Sequence, residues 1–265
     1  PILIAGLKAL EYRGYDSAGV ATLEDGSIKR LRAAGKLRNL EDKLRAAPLN
    51  GHSGIGHTRW ATHGVPNEVN AHPHISGDVV IVHNGIIENF AELKAELIAA
   101  GYKFETQTDT EVVAHLLAQE RGLGVKPIEA VRNILGRLHG AFALAIMFKG
   151  ENDLMIGARN GPPLAIGHGE GQMYLGSDAI ALAPFTNKIT YIEDGDWCVL
   201  TRNGVEIFDA ANKPVKRPMS FSQASSMMVD KGNHRHFLAK EFAEQPDVVA
   251  HTQAEYVDFT TRPVR

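Results

Sequence analysis

Hydrophobic residues recur at helical spacing in five stretches of the chain, most of them in its first half. In the first stretch, residues 2–12, the apolar side chains fall on one side and predict an amphipathic helix. Those side chains are Ile2, Leu3, Leu7 and Leu10. The same spacing predicts helices over 36–46, 89–102, 108–122 and 128–138.

Apolar runs of strand length dominate the second half. Asp25 and Gly26 join two runs within 17–35 and predict a hairpin. The other predicted strands are 53–60, 79–85, 140–150, 152–159, 163–169, 172–177, 188–192 and 196–208. The run ALAIMF (143–148) is apolar throughout, which indicates a strand covered on both faces. Helices followed by antiparallel-type strands predict an α+β domain, with two stacked sheets between helices.

The character of the chain changes after Phe208. The stretch 211–237 is polar, contains several prolines and has no hydrophobic periodicity. We therefore expect a folded domain over 1–210 and a linker or tail over 211–265.

Composition and charge exclude some classes of function. With 44% hydrophobic residues the chain should be globular, and its formal net charge of −3 includes no block of like charge. A nucleic-acid or membrane-surface role therefore has no electrostatic support. No apolar run reaches transmembrane length, and no secretory signal is visible. The single cysteine, Cys198, excludes an intrachain disulfide and predicts a cytoplasmic location; we expect it to be a buried core residue rather than a nucleophile.

Two short motifs carry charges suited to a zwitterionic ligand. Arg59, in HTRWATHG (57–64), could form a fork with a carboxylate, although an ordinary ion pair is the alternative. Asp109, in QTDTE (107–111), could bind an ammonium group. Its alternative is helix initiation, because Thr108 and Glu111 have capping-box spacing. A ligand that uses both charges would be an amino acid.

A third motif, HNG, follows a predicted buried strand. The Asn84 amide and the Gly85 N–H could together form an oxyanion hole for acyl transfer. Asn-Gly is also common in turns, and from this motif alone a strand-ending turn is the favoured interpretation.

Five histidines occur within a short span and raise the alternative of a zinc hydrolase. They are His57, His63, His72, His74 and His83. Their spacing matches no standard zinc ligand set, and the chain contains no HExxH motif. We therefore expect most of them to be hydrogen-bonded partners or walls of a pocket, with no metal bound.

Taken together, the motifs carry a family resemblance. In order they are EYRGYDSAG (11–19), HTRWATHG, HPH (72–74), HNGIIEN (83–89), QTDTE and KExxEQP (240–246). This series, which spans nearly the whole chain, resembles the glutaminase domain of the glutamine–fructose-6-phosphate aminotransferase family, a class II amidotransferase. The resemblance implies an N-terminal-nucleophile hydrolase fold, which is a four-layer αββα sandwich of two antiparallel sheets.

The resemblance also implies a chemistry and a set of roles. Such enzymes use an N-terminal cysteine, with its own α-amino group as the general base, to attack the glutamine amide. No cofactor is implied. Arg59 would bind the substrate carboxylate, Asp109 its ammonium, and Asn84 with Gly85 the oxyanion. The residues similar to the pocket lining are Trp60, Thr62, His63 and His72, and Arg13 would support the site.

The chain departs from the family pattern at both ends. It begins at Pro1, in the first helix, so the nucleophilic cysteine is not among these residues, and we expect a molecule of these residues alone to be inactive. The sugar-isomerase domains that would bind fructose 6-phosphate are also not among them. The expected parent is a cytoplasmic, homodimeric enzyme of amino-sugar synthesis. The alternative is a non-catalytic module that binds glutamine or a partner domain.

Overall fold

The computed structural model describes residues 1–222 except 12, 13, 15 and 61–63, and isolated tail positions at 239, 242, 243, 245, 246 and 249. Contacts divide the chain into two units, Pro1–Ser225 and Ser226–Arg265. All elements described below belong to the first unit.

Six helices are described in the first unit. They are α1 (Ile2–Leu10), α2 (Leu37–Ala46), α3 (Phe90–Ala99), α4 (Thr110–Gly122), α5 (Pro127–Leu135) and α6 (Ala179–Leu182). The five predicted helices are confirmed, whereas the short α6 was not predicted. Asp178 caps α6, since its carboxylate accepts a hydrogen bond from the Ile180 N–H at 3.2 Å. None of the described helices is long and apolar enough to cross a membrane.

The described strands are all antiparallel to their neighbours. They are β1 (Ser17–Glu24), β2 (Ser27–Ala34), β3 (Ser53–Arg59), β4 (His74–Ser76), β5 (Val79–Ile87), β6 (Gly140–Phe148), β7 (Met155–Asn160), β8 (Ala165–His168), β9 (Met173–Gly176), β10 (Lys188–Tyr191), β11 (Trp197–Thr201), β12 (Gly204–Phe208), β13 (Pro214–Val215) and β14 (Met219–Phe221). The predicted strands are confirmed. The strands β4, β13 and β14 were not predicted, and the last two lie within the stretch expected to be a linker.

One of the two inner layers is a seven-stranded sheet of order β13-β12-β11-β7-β6-β5-β4. Successive residues of β6 alternate between its faces: Leu144 and Ile146 pack in the cluster formed with α3, α4 and α5. Met147 packs in a different cluster, which contains Ile55 of β3. The expectation that ALAIMF is covered on both faces is confirmed.

The opposite layer consists of two smaller sheets, ordered β2-β1-β3 and β14-β10-β8-β9. Both cover the same face of the seven-stranded sheet, the first through Ile55 and the second through Ile166. Their outer faces carry helices: Val20 of β1 packs with Leu40 of α2, and Ile189 of β10 with Leu182 of α6. The four-layer αββα arrangement is confirmed, with two sheets rather than one in the second sheet layer.

Candidate active site

A cleft of about 980 Å³ opens between the two smaller sheets. Its sides are β3 and β9, and every residue of both strands lines it. Among the described strands, β3 pairs only with β1 and β9 only with β8, so each turns an unpaired edge towards the cleft. Residues of β5, β6 and the start of α4 also line the cleft.

Arg59 lies at the end of β3 and lines this cleft. Its side chain is on the same face as those of Ile55 and His57, because alternate residues of a strand share a face. It is 4% exposed, so it is not a surface residue. Its guanidinium donates to the carbonyl oxygens of Gly64 and Val65 at 3.3 and 3.4 Å.

The ion pair considered as an alternative role for Arg59 is present but long. The closest oxygen of Asp16 lies 3.8 Å from Nη1. Burial lowers the pKa of Arg59, while the carboxylates of Asp16 and Asp109 act to raise it. Arg59 is thus a buried cation that both contacts a structural carboxylate and lines a cavity large enough for a ligand.

Asn84 and Gly85 lie within β5, which continues to Ile87. The strand-ending turn that the HNG motif alone favoured is therefore not formed, and that interpretation is wrong. The strand continues because β6 pairs with it along its whole length, with Asn84 opposite Ala143 and Gly85 opposite Phe142. Gly85 has φ +122°, and a Cβ there would overlap the carbonyl oxygen of Ala141. The glycine therefore permits a close approach between strands, and both residues line the cleft.

Asp109 immediately precedes α4, but its side chain does not cap that helix. Its Oδ2 instead accepts a hydrogen bond from the Ile87 N–H at 2.7 Å. The capping box, considered as the alternative role of this motif, is not formed, since Glu111 accepts from the N–H groups of Glu105 and Thr106. Asp109 is 6% exposed and lines the cleft, so a buried carboxylate lies at the end of the strand that carries Asn84.

Two threonines of the α4 region hold three buried histidines. His72 Nε2 and His83 Nδ1 lie 2.9 and 3.0 Å from the Thr110 hydroxyl. His74 Nε2 lies 3.2 Å from the Thr108 hydroxyl. The expectation that these imidazoles are hydrogen-bonded partners or pocket walls is confirmed for the histidines that the structure describes.

Burial makes these imidazoles poor bases. It lowers the pKa of His57 to about 4 and that of His74 to about 3. It also lowers the pKa of His72 and His83. They are therefore neutral near pH 7. Among the described residues, no group of three or more His, Cys, Asp or Glu side chains is arranged to hold a metal ion.

The other predicted residues differ in their settings. Trp60 is 62% exposed at the rim of the cleft, which it helps to line. Cys198 is fully buried in β11, and burial raises its pKa to about 12, so its assignment to the core is confirmed. Arg13, Thr62 and His63 lie outside the described residues.

Three further polar residues line the cleft, and no individual role was assigned to any of them from the sequence. They are His57, His83 and Thr110. The alternation of side chains along strands indicates in part which residues face the cleft. His57 shares a face with Arg59, and Asn84 shares one with Val82, which packs against β1 and β3. The spacing of residues within β3 and within β5 does not show which side chain of one strand contacts which side chain of the other.

The cleft brings together features that suit one kind of chemistry. A buried cation, a buried carboxylate and a neutral amide line the same space. The charges match an α-carboxylate and an α-ammonium group. The amide donor matches a carbonyl oxygen that becomes negative during acyl transfer.

Comparison with known proteins gives a consistent result. Residues 57–184 match the family model described as a glutamine amidotransferase domain. The chain is 66% identical over 261 residues to glutamine–fructose-6-phosphate aminotransferase (isomerizing) of Mesorhizobium japonicum, covering 98% of the chain and 43% of that protein. It is 64% identical to the Brucella abortus enzyme of the same name, covering 100% and 44%. The chain thus spans less than half the length of these curated relatives.

Among solved structures, the chain is similar to glutamine phosphoribosylpyrophosphate amidotransferase from B. subtilis, determined in complex with ADP and GMP. The TM-score is 0.68 at 28% identity, and the match covers 78% of this chain and 46% of that one. The likeness includes most of the first unit and supports the four-layer fold described above.

Proposed function

Because the chain belongs to the glutamine amidotransferase family, we propose that it is the glutaminase domain of a glutamine–fructose-6-phosphate aminotransferase. The observation that carries the proposal is the composition of the cleft. It combines Arg59, Asp109 and the Asn84-Gly85 pair, which are suited to the three polar groups of glutamine. The high identity to aminotransferases over the whole chain supports the choice within the family.

Glutamine would enter with its α-carboxylate at Arg59 and its α-ammonium at Asp109. One Asp109 oxygen accepts from the Ile87 N–H, and the second would accept from the ligand. The side-chain carbonyl oxygen would then point to the Asn84 amide and the Gly85 N–H. Trp60, Thr62, His63 and His72 would complete the pocket, and Arg13 would support it.

The reaction is transfer of the glutamyl group to a thiolate. Attack on the amide carbon gives an oxyanion that the Asn84 and Gly85 donors stabilise. The C–N bond then breaks, ammonia leaves with a proton from the general acid, and a thioester remains. Water hydrolyses the thioester to glutamate. The resemblance assigns the thiolate to an N-terminal cysteine, whose α-amino group moves the protons.

The whole protein would use the released ammonia to convert fructose 6-phosphate to glucosamine 6-phosphate. Trp60, exposed at the rim of the cleft, would lie where ammonia leaves towards the sugar site. We further propose that this protein is a homodimer and that it works in the cytoplasm.

The test compares two polypeptides. The full-length protein should release glutamate from glutamine and form glucosamine 6-phosphate when fructose 6-phosphate is present. A polypeptide of these 265 residues should bind glutamine without hydrolysing it. Glutamate release by the shorter polypeptide would overturn the assignment of the nucleophile. Binding without turnover by the full-length protein would favour a non-catalytic module.

A further inference from the structure

The side chain of Asn84 is held by a residue from another sheet. His57 of β3 places its Nε2 2.8 Å from Asn84 Oδ1 on β5. Both residues line the cleft. The bond therefore crosses the space between the two sheet layers, beside the position proposed for the substrate amide.

Which end of the Asn84 amide faces the cleft decides whether it can stabilise an oxyanion. Its NH₂ group can donate to a developing negative charge, whereas its carbonyl oxygen would repel that charge. An asparagine side chain flips easily when nothing distinguishes its two ends. A donor fixed against Oδ1 would leave Nδ2 as the group directed to the ligand.

The protonation of His57 determines whether it is such a donor. Burial keeps the imidazole neutral near pH 7, so it carries one N–H. Within the described residues, its buried Nδ1 has no hydrogen-bond partner. A buried N–H without an acceptor is rarer in proteins than an unpaired acceptor. The proton therefore belongs on Nε2, where Asn84 Oδ1 accepts it.

We infer that His57 is a positioning residue of the glutaminase reaction, which fixes the Asn84 amide with its NH₂ group towards the oxyanion. This inference rests on the proposed function and assigns a task to a residue outside the charged pair that binds the substrate. His57 does not touch the reacting atoms in this scheme. It acts only through Asn84.

The experiment measures glutamate release by the full-length protein with fructose 6-phosphate present. His57→Leu removes the donor and should lower kcat about 10- to 100-fold, while KM for glutamine changes less than about threefold, because the bond affects the transition state more than substrate binding. His57→Gln places an amide N–H near the position of Nε2 and should stay within about fivefold of the wild-type kcat.

A second pair of variants separates positioning from folding. His57→Asn carries the same amide as His57→Gln but is too short to reach Asn84, so it should behave like His57→Leu. In an Asn84→Ala background, His57→Leu should cause no further loss of kcat, because the group that it positions is gone. His168→Leu is the matched control, since His168 Nε2 bonds the Thr190 hydroxyl at 2.9 Å outside the cleft; it should leave kcat unchanged.

The outcomes distinguish the two proposals. A wild-type protein without glutaminase activity would overturn the proposed function, and the inference with it. If the wild type is active and the kcat losses of His57→Leu and Asn84→Ala multiply in the double variant, the inference alone is overturned. Equal losses in His57→Gln and His57→Asn, or a loss that appears mainly in KM, would overturn it in the same way.

Discussion

The Asp109 side chain connects the start of a helix, a strand and the candidate site. It lies before α4, where an aspartate would ordinarily cap the helix, yet its carboxylate accepts from the Ile87 N–H of β5. This bond ties the start of α4 to the strand that carries Asn84. It also holds a negative charge in the cleft, where hydrogen bonds to charged groups are stronger than in water.

Replacing Asp109 by asparagine should separate its two tasks. Asp109→Asn retains an oxygen for the Ile87 N–H but removes the charge that would bind the glutamine ammonium. We expect KM for glutamine to rise about 10- to 100-fold, as for loss of a charge-assisted hydrogen bond. Steady-state kinetics of the full-length protein measures this effect.

A suitable control for this change is Asp209→Asn. Asp209 accepts backbone hydrogen bonds from Ala211 and Lys213 in the turn before β13, outside the cleft. It should leave KM unchanged. An Asp109→Asn protein with wild-type KM would argue against ammonium binding at this carboxylate.

At the scale of elements, the pairing of β5 with β6 carries the proposed oxyanion hole. Nine residue pairs join these strands, from Val79 opposite Phe148 to Ile87 opposite Gly140. Glycines allow the close approach at the end near Asn84. Gly140 has φ +112°, and a Cβ there would overlap the Ile86 carbonyl oxygen.

Gly140→Ala should therefore disturb both the strand pair and the site. The positive φ and the overlap predict a loss of about 1–3 kcal/mol in the free energy of unfolding. Because β5 must shift, kcat for glutamate release should fall as well. Denaturant unfolding and steady-state kinetics measure the two effects.

The matched substitution is Gly136→Ala. Gly136 ends α5 with φ −67°, and a Cβ there would have no atom within 4 Å. Its free energy of unfolding should change by less than about 1 kcal/mol, which is usual for a surface site. If Gly140→Ala were equally harmless, the close approach at the end of β6 would not be required.

At the scale of the whole molecule, the two sheet layers enclose several imidazoles that are neutral when folded. Burial lowers the pKa of His57 to about 4 and of His74 to about 3, against an ordinary value of 6.5. Between these values and pH 6.5 the unfolded chain binds protons that the folded chain does not. The contribution of these histidines to stability is therefore fully present above pH 6.5 and is lost as the pH is lowered through this window.

For each of these histidines, the free energy of unfolding should fall by about 2 kcal/mol when the pH is lowered from 7 to 5. Urea unfolding at the two pH values measures the loss. His74→Gln should reduce the difference, because it removes one of the imidazoles whose pKa burial lowers. Equal stability at both pH values would show that the imidazoles are not kept neutral by the fold.

Much of the architecture follows from local pattern. Periodicity located the five longer helices, the Asp25-Gly26 pair located the hairpin, and continuous apolar runs indicated the strands covered on both faces. These features depend on which side chains share a face, and spacing along the chain reports that directly. Some short elements were missed, since α6 has four residues, about one helical turn, and β13 has two.

The residue types of the candidate site were also readable from the motifs. Arg59, Asn84, Gly85 and Asp109 were named from the sequence, and all four line one cleft in the structure. Their proposed roles in binding glutamine stay predictions. The sequence alone therefore determined the class of fold, the family resemblance and the polar groups available to a ligand.

Only the tertiary structure decided how those groups are held. Asn-Gly alone favoured a turn, but pairing with β6 keeps it in a strand. Asp109 has the spacing of a helix cap, but it bonds Ile87, 22 residues away. His57 contacts Asn84, which lies 27 residues further along the chain and in a different sheet. Periodicity describes neighbours within one element, whereas these contacts arise only when separate layers pack together, and so they could not be predicted from the spacing of residues.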